Sequence, residues 1–359
     1  MNKIMILNND VKGEDMIFKR SFRLNRGYEV RLPVFIPVYR PGFSINTLEA
    51  WHGEPEIEAC MVNAFLLYKD KEKRRMFEEG MDLRQYVGGF EGLLCTDSGA
   101  FQGFRGSVYL NNKEIVKFQD MIKTDVAAPL DLVTPPGDNR TTAEKKLIST
   151  QKRTQEALKL VNYSILAGIQ QGGRFLDLRQ RSIRELMQMG VRYFGLGSLV
   201  PFFNKNHDLK FVGKVIMDAR EAVGEEYPIH VYGAGDPLEI PFLVYFGANI
   251  FDSSSYAHYA NSKFYMTPYG AVNQLELLEQ IGYVCNCPIC SSHGAEENVM
   301  SNTENLSAHN LWTICHVIEE IRFALDNDTL EKMISDILEK HQLIFPGSML
   351  KSSFIELTG

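Results

Sequence analysis

Along the chain a short apolar run, a polar or glycine-rich turn and an amphipathic stretch recur in that order, which is the pattern of alternating strand and helix. Apolar runs at 93–95, 127–133, 164–169, 193–199, 229–232 and 248–251 predict buried parallel strands. Between them, segments 112–122, 142–161, 178–189, 210–223 and 237–246 space their apolar residues along one helical face. Pro237 behind Asp236 predicts a helix that starts on a cap, and Thr141 and Thr142 ahead of Glu144 predict another start. Alternation this long fits either a closed barrel or an open doubly wound sheet. Asp97, Asp131, Gln171, Ser198, Tyr232 and Asp252 each follow one of the strands, and a mouth that gathers every strand C-terminus is the property of a barrel. The expected fold class is therefore α/β, a (β/α)8 TIM barrel.

Composition narrows the functional classes. The chain has 359 residues, and 38 Lys and Arg against 45 Asp and Glu give a net charge of −7. Such a balance excludes a protein that grips nucleic acid by bulk positive charge, so a nucleic-acid partner would need a local basic patch. The first ten residues carry no basic segment followed by a long apolar run. The longest apolar stretch, 240–251, is broken by Pro241, Gly247 and Asn249 and falls short of the roughly 20 residues a membrane span needs. No membrane association and a cytoplasmic location are expected. No Walker A segment occurs, and Gly233-Ala234-Gly235 lacks the third glycine of a dinucleotide fingerprint.

Six cysteines are too few for a disulfide scaffold, and three of them crowd into Cys285, Cys287 and Cys290. His309 lies 19 residues beyond Cys290, and three thiolates with one imidazole complete a tetrahedral zinc shell. His293 and His316 are rival fourth ligands, and a redox pair or simply buried thiols would be the plainer account. Four protein ligands close the shell, so the zinc expected here is structural.

Thr96-Asp97-Ser98-Gly99-Ala100-Phe101-Gln102 and Ile250-Phe251-Asp252-Ser253-Ser254-Ser255-Tyr256 both end an apolar strand with a carboxylate. Each alone reads as a helix cap. Together they describe two carboxylates at one mouth, the arrangement glycosidic chemistry uses: one attacks the anomeric carbon and the other handles the proton.

Asp97-Ser-Gly-Ala-Phe-Gln102, Gly168-Ile-Gln-Gln-Gly-Gly173, Gly233-Ala-Gly-Asp-Pro237, Phe251-Asp252, the Cys-x-Cys-x-x-Cys cluster and His309-Asn-Leu-Trp312 occur in the order found in tRNA-guanine transglycosylases. The chain resembles that superfamily from about Pro33 to about Arg322, and most resembles its archaeal branch through Pro129-Leu-Asp131, Thr134-Pro-Pro136 and Phe251-Asp-Ser-Ser254. The resemblance implies a (β/α)8 barrel with a zinc-binding insertion near its last βα unit. It also implies exchange of guanine in a polynucleotide for a free 7-deazaguanine base. By position, Asp252 resembles the nucleophile that attacks ribose C1′ and Asp97 the general acid/base. Ser98, Asp131 and Gln171 fall at substrate-binding positions, the last two reading the purine edge. Gly197, Ser198 and Leu199 match a loop offering backbone groups to the base, and Phe101 and Tyr232 match the faces that stack on it. Aromatics at strand ends are also common in cores.

Departures from the family pattern shape the expectation. Ala100 stands where many members carry glycine or serine. The basic residues bacterial members place after the nucleophile are unmatched, since Ser253 to Tyr259 contains only His258. Lys71 to Arg75 and Lys145-Lys146 are the candidate phosphate contacts, although such runs are usually solvated helix faces. Archaeal tRNA members carry long C-terminal RNA-binding domains, whereas this chain ends about 35 residues after its last family motif. The resemblance thus favours DNA slightly over tRNA as substrate, with a tRNA-guanine transglycosylase of the queuosine or archaeosine type as the alternative. A non-catalytic nucleic-acid-positioning subunit is the further alternative. Homodimers and accessory modification proteins are expected from the family, and the expected domains are a barrel with N-terminal strands (1–275), a zinc-binding subdomain (276–315) and closing C-terminal helices (316–359).

Overall fold

The structure, a computed structural model, describes residues 18–39, 47–100, 111–293 and 296–359. Strands β1 (Ser21–Arg23) and β2 (Glu29–Arg31) form an antiparallel hairpin ahead of the main sheets. The strands that follow are β3 (Val34–Pro37), β4 (Ala59–Asn63), β5 (Leu93–Asp97), β6 (Val126–Ala127), β7 (Ile165–Leu166), β8 (Gly168–Gln170), β9 (Phe194–Leu196), β10 (Ile229–Tyr232) and β11 (Ile250–Ser253). They form two parallel sheets, one in the order β3-β11-β10-β9-β8 and the other β4-β5-β6-β7, with helices in the crossovers. A further antiparallel hairpin, β12 (Tyr265–Thr267) and β13 (Gly270–Val272), leads to the cysteine cluster. Among the described residues no helix is long and apolar enough to cross a membrane.

Side-chain alternation along the strands sorts them into two faces. Val34 and Ile36, Ala59 and Met61, Leu93 and Cys95, Val126, Ile165, Ala167, Ile169, Tyr193 and Ile250 are buried together in one cluster, with Tyr232 packed against it. The opposite parity faces helices: Phe35, Phe194, Leu196, Ile229, Val231 and Phe251 pack with Val212, Ile216 and Phe242, while Cys60, Val62, Leu94, Ala127 and Leu166 pack with Ile115, Val116 and Phe118. The first cluster continues upward in register. Asn63, Asp97, Gln171, Tyr232 and Asp252 share its parity at the C-terminal ends of their strands.

Several expected boundaries move, each for a local reason. The run 127–133 pairs as strand only at Val126–Ala127. Beyond it, side chains take the backbone donors: Ala128 N–H goes to Gln119 Oε1 (2.9 Å), Leu130 N–H to Asn112 Oδ1 (3.0 Å) and Leu132 N–H to Thr150 Oγ1 (3.0 Å). The helix expected from Pro237 begins at Ile240, because Asp236 Oδ1 accepts from Leu238 N–H and its carbonyl from Glu239 and Ile240, making a separate turn. The helix expected near Thr142 is Arg140–Ala157, capped by Asn139, whose side chain accepts from Thr142 N–H at 2.9 Å. Strands β3 and β4 lay outside the periodicity reading, since 59–69 is one unbroken apolar-rich stretch in which strand passes directly into the helix Ala64–Lys69.

Candidate active site and metal centre

Asn63 does two jobs at the top of β4. Its Oδ1 caps the following helix by accepting from Leu66 N–H (3.0 Å), and its Nδ2 donates to Asp97 Oδ2 on the neighbouring strand (2.9 Å). Asp97 Oδ1 accepts from Gly99 N–H at 3.1 Å. Burial pushes the Asp97 carboxyl up to about 6, with the Gly99 N–H pulling it down and the charge of Asp252 adding to the rise. Ser98 is buried and donates to the Pro129 carbonyl at 3.1 Å, so its hydroxyl ties the β5 and β6 loops together.

A second network lies after β6, β8 and β9. Thr134 N–H donates to Ser198 Oγ (2.9 Å), Ser198 donates to Gln171 Oε1 (3.0 Å), and Gln171 Nε2 donates to Asp131 Oδ2 (2.6 Å). This directional chain sets the orientation of the Gln171 amide. The pair still keeps a second amide hydrogen and further carboxylate lone pairs for a ligand. Burial, then the Asp97 charge, raise the Asp131 carboxyl to about 6 against the pull of the Gln171 hydrogen bond. Ser198 holds a left-handed φ of 57°, a conformation costing a non-glycine residue on the order of 1 kcal/mol, and its two hydrogen bonds hold it there. A side chain at Gly197 would put its Cβ 2.6 Å from Gln171 Nε2, so the close approach requires glycine. The Leu199 side chain is wholly buried in the core, leaving only backbone at that position to meet a ligand.

Arg179 supports this loop from beneath. It is buried and donates from Nε to the Gly173 carbonyl (2.7 Å) and from Nη1 to the Gly197 carbonyl (3.1 Å) and Gln170 Oε1 (3.1 Å). Burial lowers its guanidinium to about 9, which leaves it charged at neutral pH.

Asp252 sits opposite Tyr232 in the β10–β11 ladder and opposite Ile36 in β3. Its Oδ1 is held by His230 Nε2 at 2.9 Å and by Gly233 N–H at 3.1 Å. The Tyr232 ring packs beside the His230 ring, with centroids 4.1 Å apart. The charge of Asp252 reaches Asp97, that of Asp97 reaches Asp131, and all three carboxylates act on Tyr232; with Gln171 and Ser198 hydrogen-bonded in line to Asp131, the structure gathers Asp97, Asp131, Gln171, Ser198, Tyr232 and Asp252 into one polar mouth. Phe101 lies outside the described residues. Sequence reasoning missed Asn63, Arg179 and His230; the only signal for the last was one imidazole in the otherwise apolar run Ile-His-Val-Tyr.

Four members of the two basic runs make ion pairs within the chain. Lys73 pairs with Asp70, Arg74 with Glu78 and Arg75 with Glu79 along one exposed helix, and Lys146 pairs with Asp138 at 2.5 Å.

Cys285, Cys287, Cys290 and His309 converge as expected, all buried, with the three sulfurs 3.4 to 3.6 Å from His309 Nδ1. Tetrahedral zinc with bonds of about 2.3 Å to sulfur and about 2.0 Å to nitrogen puts those atoms roughly 3.5 Å apart, so this donor set fits the ion. His309 Nε2 is held by the Met266 carbonyl at 2.9 Å, which presents Nδ1 to the sulfurs. The two rival histidines turn elsewhere: His293 Nδ1 meets the Ile289 carbonyl of its own helix at 2.9 Å, and His316 stacks on Trp312.

A profile of the queuine tRNA-ribosyltransferase family matches residues 20–343. A tRNA-guanine(15) transglycosylase of Methanocaldococcus jannaschii is 28% identical, covering 97% of this chain and 54% of that protein. One of Methanopyrus kandleri is 32% identical, covering 94% of this chain and 73% of that protein. One of Pyrococcus furiosus is 31% identical, covering 89% of this chain and 54% of that protein. The chain therefore spans about half the length of the first and third of these relatives and about three quarters of the second. With the profile running nearly end to end over the strands and the cysteine cluster that build these sites, the chain belongs to the queuine tRNA-ribosyltransferase family.

Proposed function

We propose that this chain is a guanine transglycosylase, a pentosyltransferase that exchanges guanine in tRNA for a free 7-deazaguanine base by two displacements at ribose C1′. One observation carries the reading: two strand-end carboxylates share a face, one half-buried and pushed up to about 6, the other fixed by two donors on a single oxygen. Asp252 attacks C1′ and the C1′–N9 bond breaks toward guanine, while Asp97 gives the leaving purine its proton. The incoming base then loses a proton to Asp97 and attacks C1′, returning the bonding pair to Asp252. Two inversions keep the β-configuration. A carboxyl near 6 serves as donor and acceptor in turn at neutral pH. Asp131 and Gln171 read the purine's donor and acceptor edge, Ser98 and the Gly197 to Leu199 loop frame it, and Tyr232 stacks on it. Phe101 is assigned the opposite face by its motif.

The names of the relatives specify tRNA, and this favours tRNA over the DNA substrate expected from the sequence. Closure of the two sheets into a (β/α)8 barrel is part of the same reading. Three features support it: β7 and β8 are separated by one residue, Ala167; Val38 bridges Met61 in parallel; and one buried cluster draws side chains from both sheets. Zinc held by Cys285, Cys287, Cys290 and His309 would be a closed structural shell with no part in the base exchange. In this division, the zinc-binding subdomain (276–315) passes to the closing helices (316–359) within one helix, Thr303–Asp326.

Incubation of the purified protein with labelled guanine or a labelled 7-deazaguanine, with unmodified tRNA and duplex DNA in parallel, tests this. Label should enter tRNA, and Asp252→Asn should abolish both exchange and a denaturation-stable adduct. Label entering DNA alone would return the substrate to DNA, and full exchange by Asp252→Asn would remove the nucleophile.

A further inference from the structure

The imidazole of His230 is buried at 1% exposure in the middle of β10, where burial without partners would cost on the order of several kcal/mol. Both nitrogens have partners. Nε2 meets Asp252 Oδ1 at 2.9 Å and Nδ1 meets the Tyr193 hydroxyl at 2.9 Å. A carboxylate only accepts, so Nε2 carries the hydrogen, and in the neutral ring Nδ1 accepts from Tyr193. Tyr193 is itself fully buried in the inner cluster, its ring edge-on to His230 with centroids 5.9 Å apart. The ring is thereby fixed in one orientation.

Both hydrogen bonds that the described residues give to the Asp252 carboxylate fall on Oδ1, from His230 and from Gly233 N–H. Oδ2 is left to form the bond. We infer that His230, oriented by Tyr193, is a positioning residue that makes Oδ2 the attacking atom of Asp252 and stabilises Oδ1 throughout the exchange. This rests on the reading of Asp252 as nucleophile. When Oδ2 bonds to C1′, Oδ1 becomes the carbonyl oxygen of the glycosyl ester and keeps both donors. When the incoming base attacks C1′, the C1′–Oδ2 pair returns to a carboxylate whose charge those donors share, which makes Asp252 a better leaving group. His230 neither gains nor loses a proton in either step.

The test compares His230→Leu, His230→Gln and Tyr193→Phe with the unaltered protein in steady-state and single-turnover exchange of labelled guanine into tRNA, with Asp252→Asn as a control. The expected result for His230→Leu is a kcat lower by on the order of 10- to 100-fold, the worth of a hydrogen bond to a charged group, with KM for tRNA within about twofold. Formation and breakdown of the adduct should both slow. His230→Gln, which offers an amide hydrogen near Nε2, should regain part of the loss, and Tyr193→Phe should fall between. If His230→Leu does not fold, the other two variants decide. A kcat within about twofold of normal in His230→Gln and Tyr193→Phe, or losses appearing in KM and melting midpoint alone, would overturn the positioning role while an inactive Asp252→Asn keeps the nucleophile. An active Asp252→Asn would remove both.

Discussion

Asp97 shows how much of a residue's chemistry is set by what surrounds it. Its carboxyl is held up near 6, against an ordinary 3.8, chiefly by burial. A folded state that holds the proton more tightly than the unfolded one is favoured below the folded value and loses that advantage as pH rises from about 4 to about 6. Asp97→Asn has no such dependence. Its stability relative to the unaltered protein should therefore rise between pH 4.5 and 7.5, by about 2 kcal/mol, in urea melts at the two pH values. A difference that stays constant with pH would mean the carboxyl titrates normally in the folded protein. The motif around Asp97 was legible in the sequence. Its environment was not, because Asn63 and Asp252 reach it from distant segments.

At the scale of elements, the alternation of strand and helix was legible wherever turns separate the apolar runs, and the helix Lys210–Val223 and strand β10 fall where the periodicity predicts them. Where strand runs straight into helix, as at Asn63, apolar spacing has no break to register, and β4 stayed hidden. Where side chains replace a ladder, as at 128–132, an apolar run looks like strand and is not. Pairing of β9 with β10 carries a functional consequence. A Cβ on Gly195 would lie 2.3 Å from Cε2 of the Tyr232 ring, so glycine in one strand gives the tyrosine of the next its place at the mouth. Gly195→Ala should shift that ring and lower kcat/KM by on the order of ten- to hundredfold, mainly through KM, with helix content retained by circular dichroism. An unchanged KM would reduce Tyr232 to core packing.

At the scale of the whole molecule, the helix Thr303–Asp326 links the metal centre to the sheets. His309 lies in its early turns, and near its far end the buried Arg322 donates to the Pro33 carbonyl (2.8 Å) and the Arg31 carbonyl (3.0 Å), just ahead of β3. Loss of zinc should therefore be felt well beyond the cysteines. Elemental analysis should find one zinc per chain, and chelation should lower the melting midpoint by on the order of 10 °C, since a structural ion contributes several kcal/mol to folding. His309→Ala should lose the metal, while His293→Ala and His316→Ala should keep it. Retention of zinc by His309→Ala would assign the fourth ligand elsewhere.

The sequence alone determined what depends on neighbours in the chain: strand and helix periods, the order of the motifs, the strand-end carboxylates and three cysteines close enough to share an ion. Tertiary structure decided what depends on residues far apart. It selected His309 over two other histidines by anchoring its second nitrogen to Met266, brought Asn63 to Asp97 and His230 to Asp252, and aligned the Gln171 amide through Ser198 and Thr134. The physical reason is that hydrogen-bond direction and desolvation act over a few ångströms in space. Spacing along the chain does not encode which groups the sheets will bring that close.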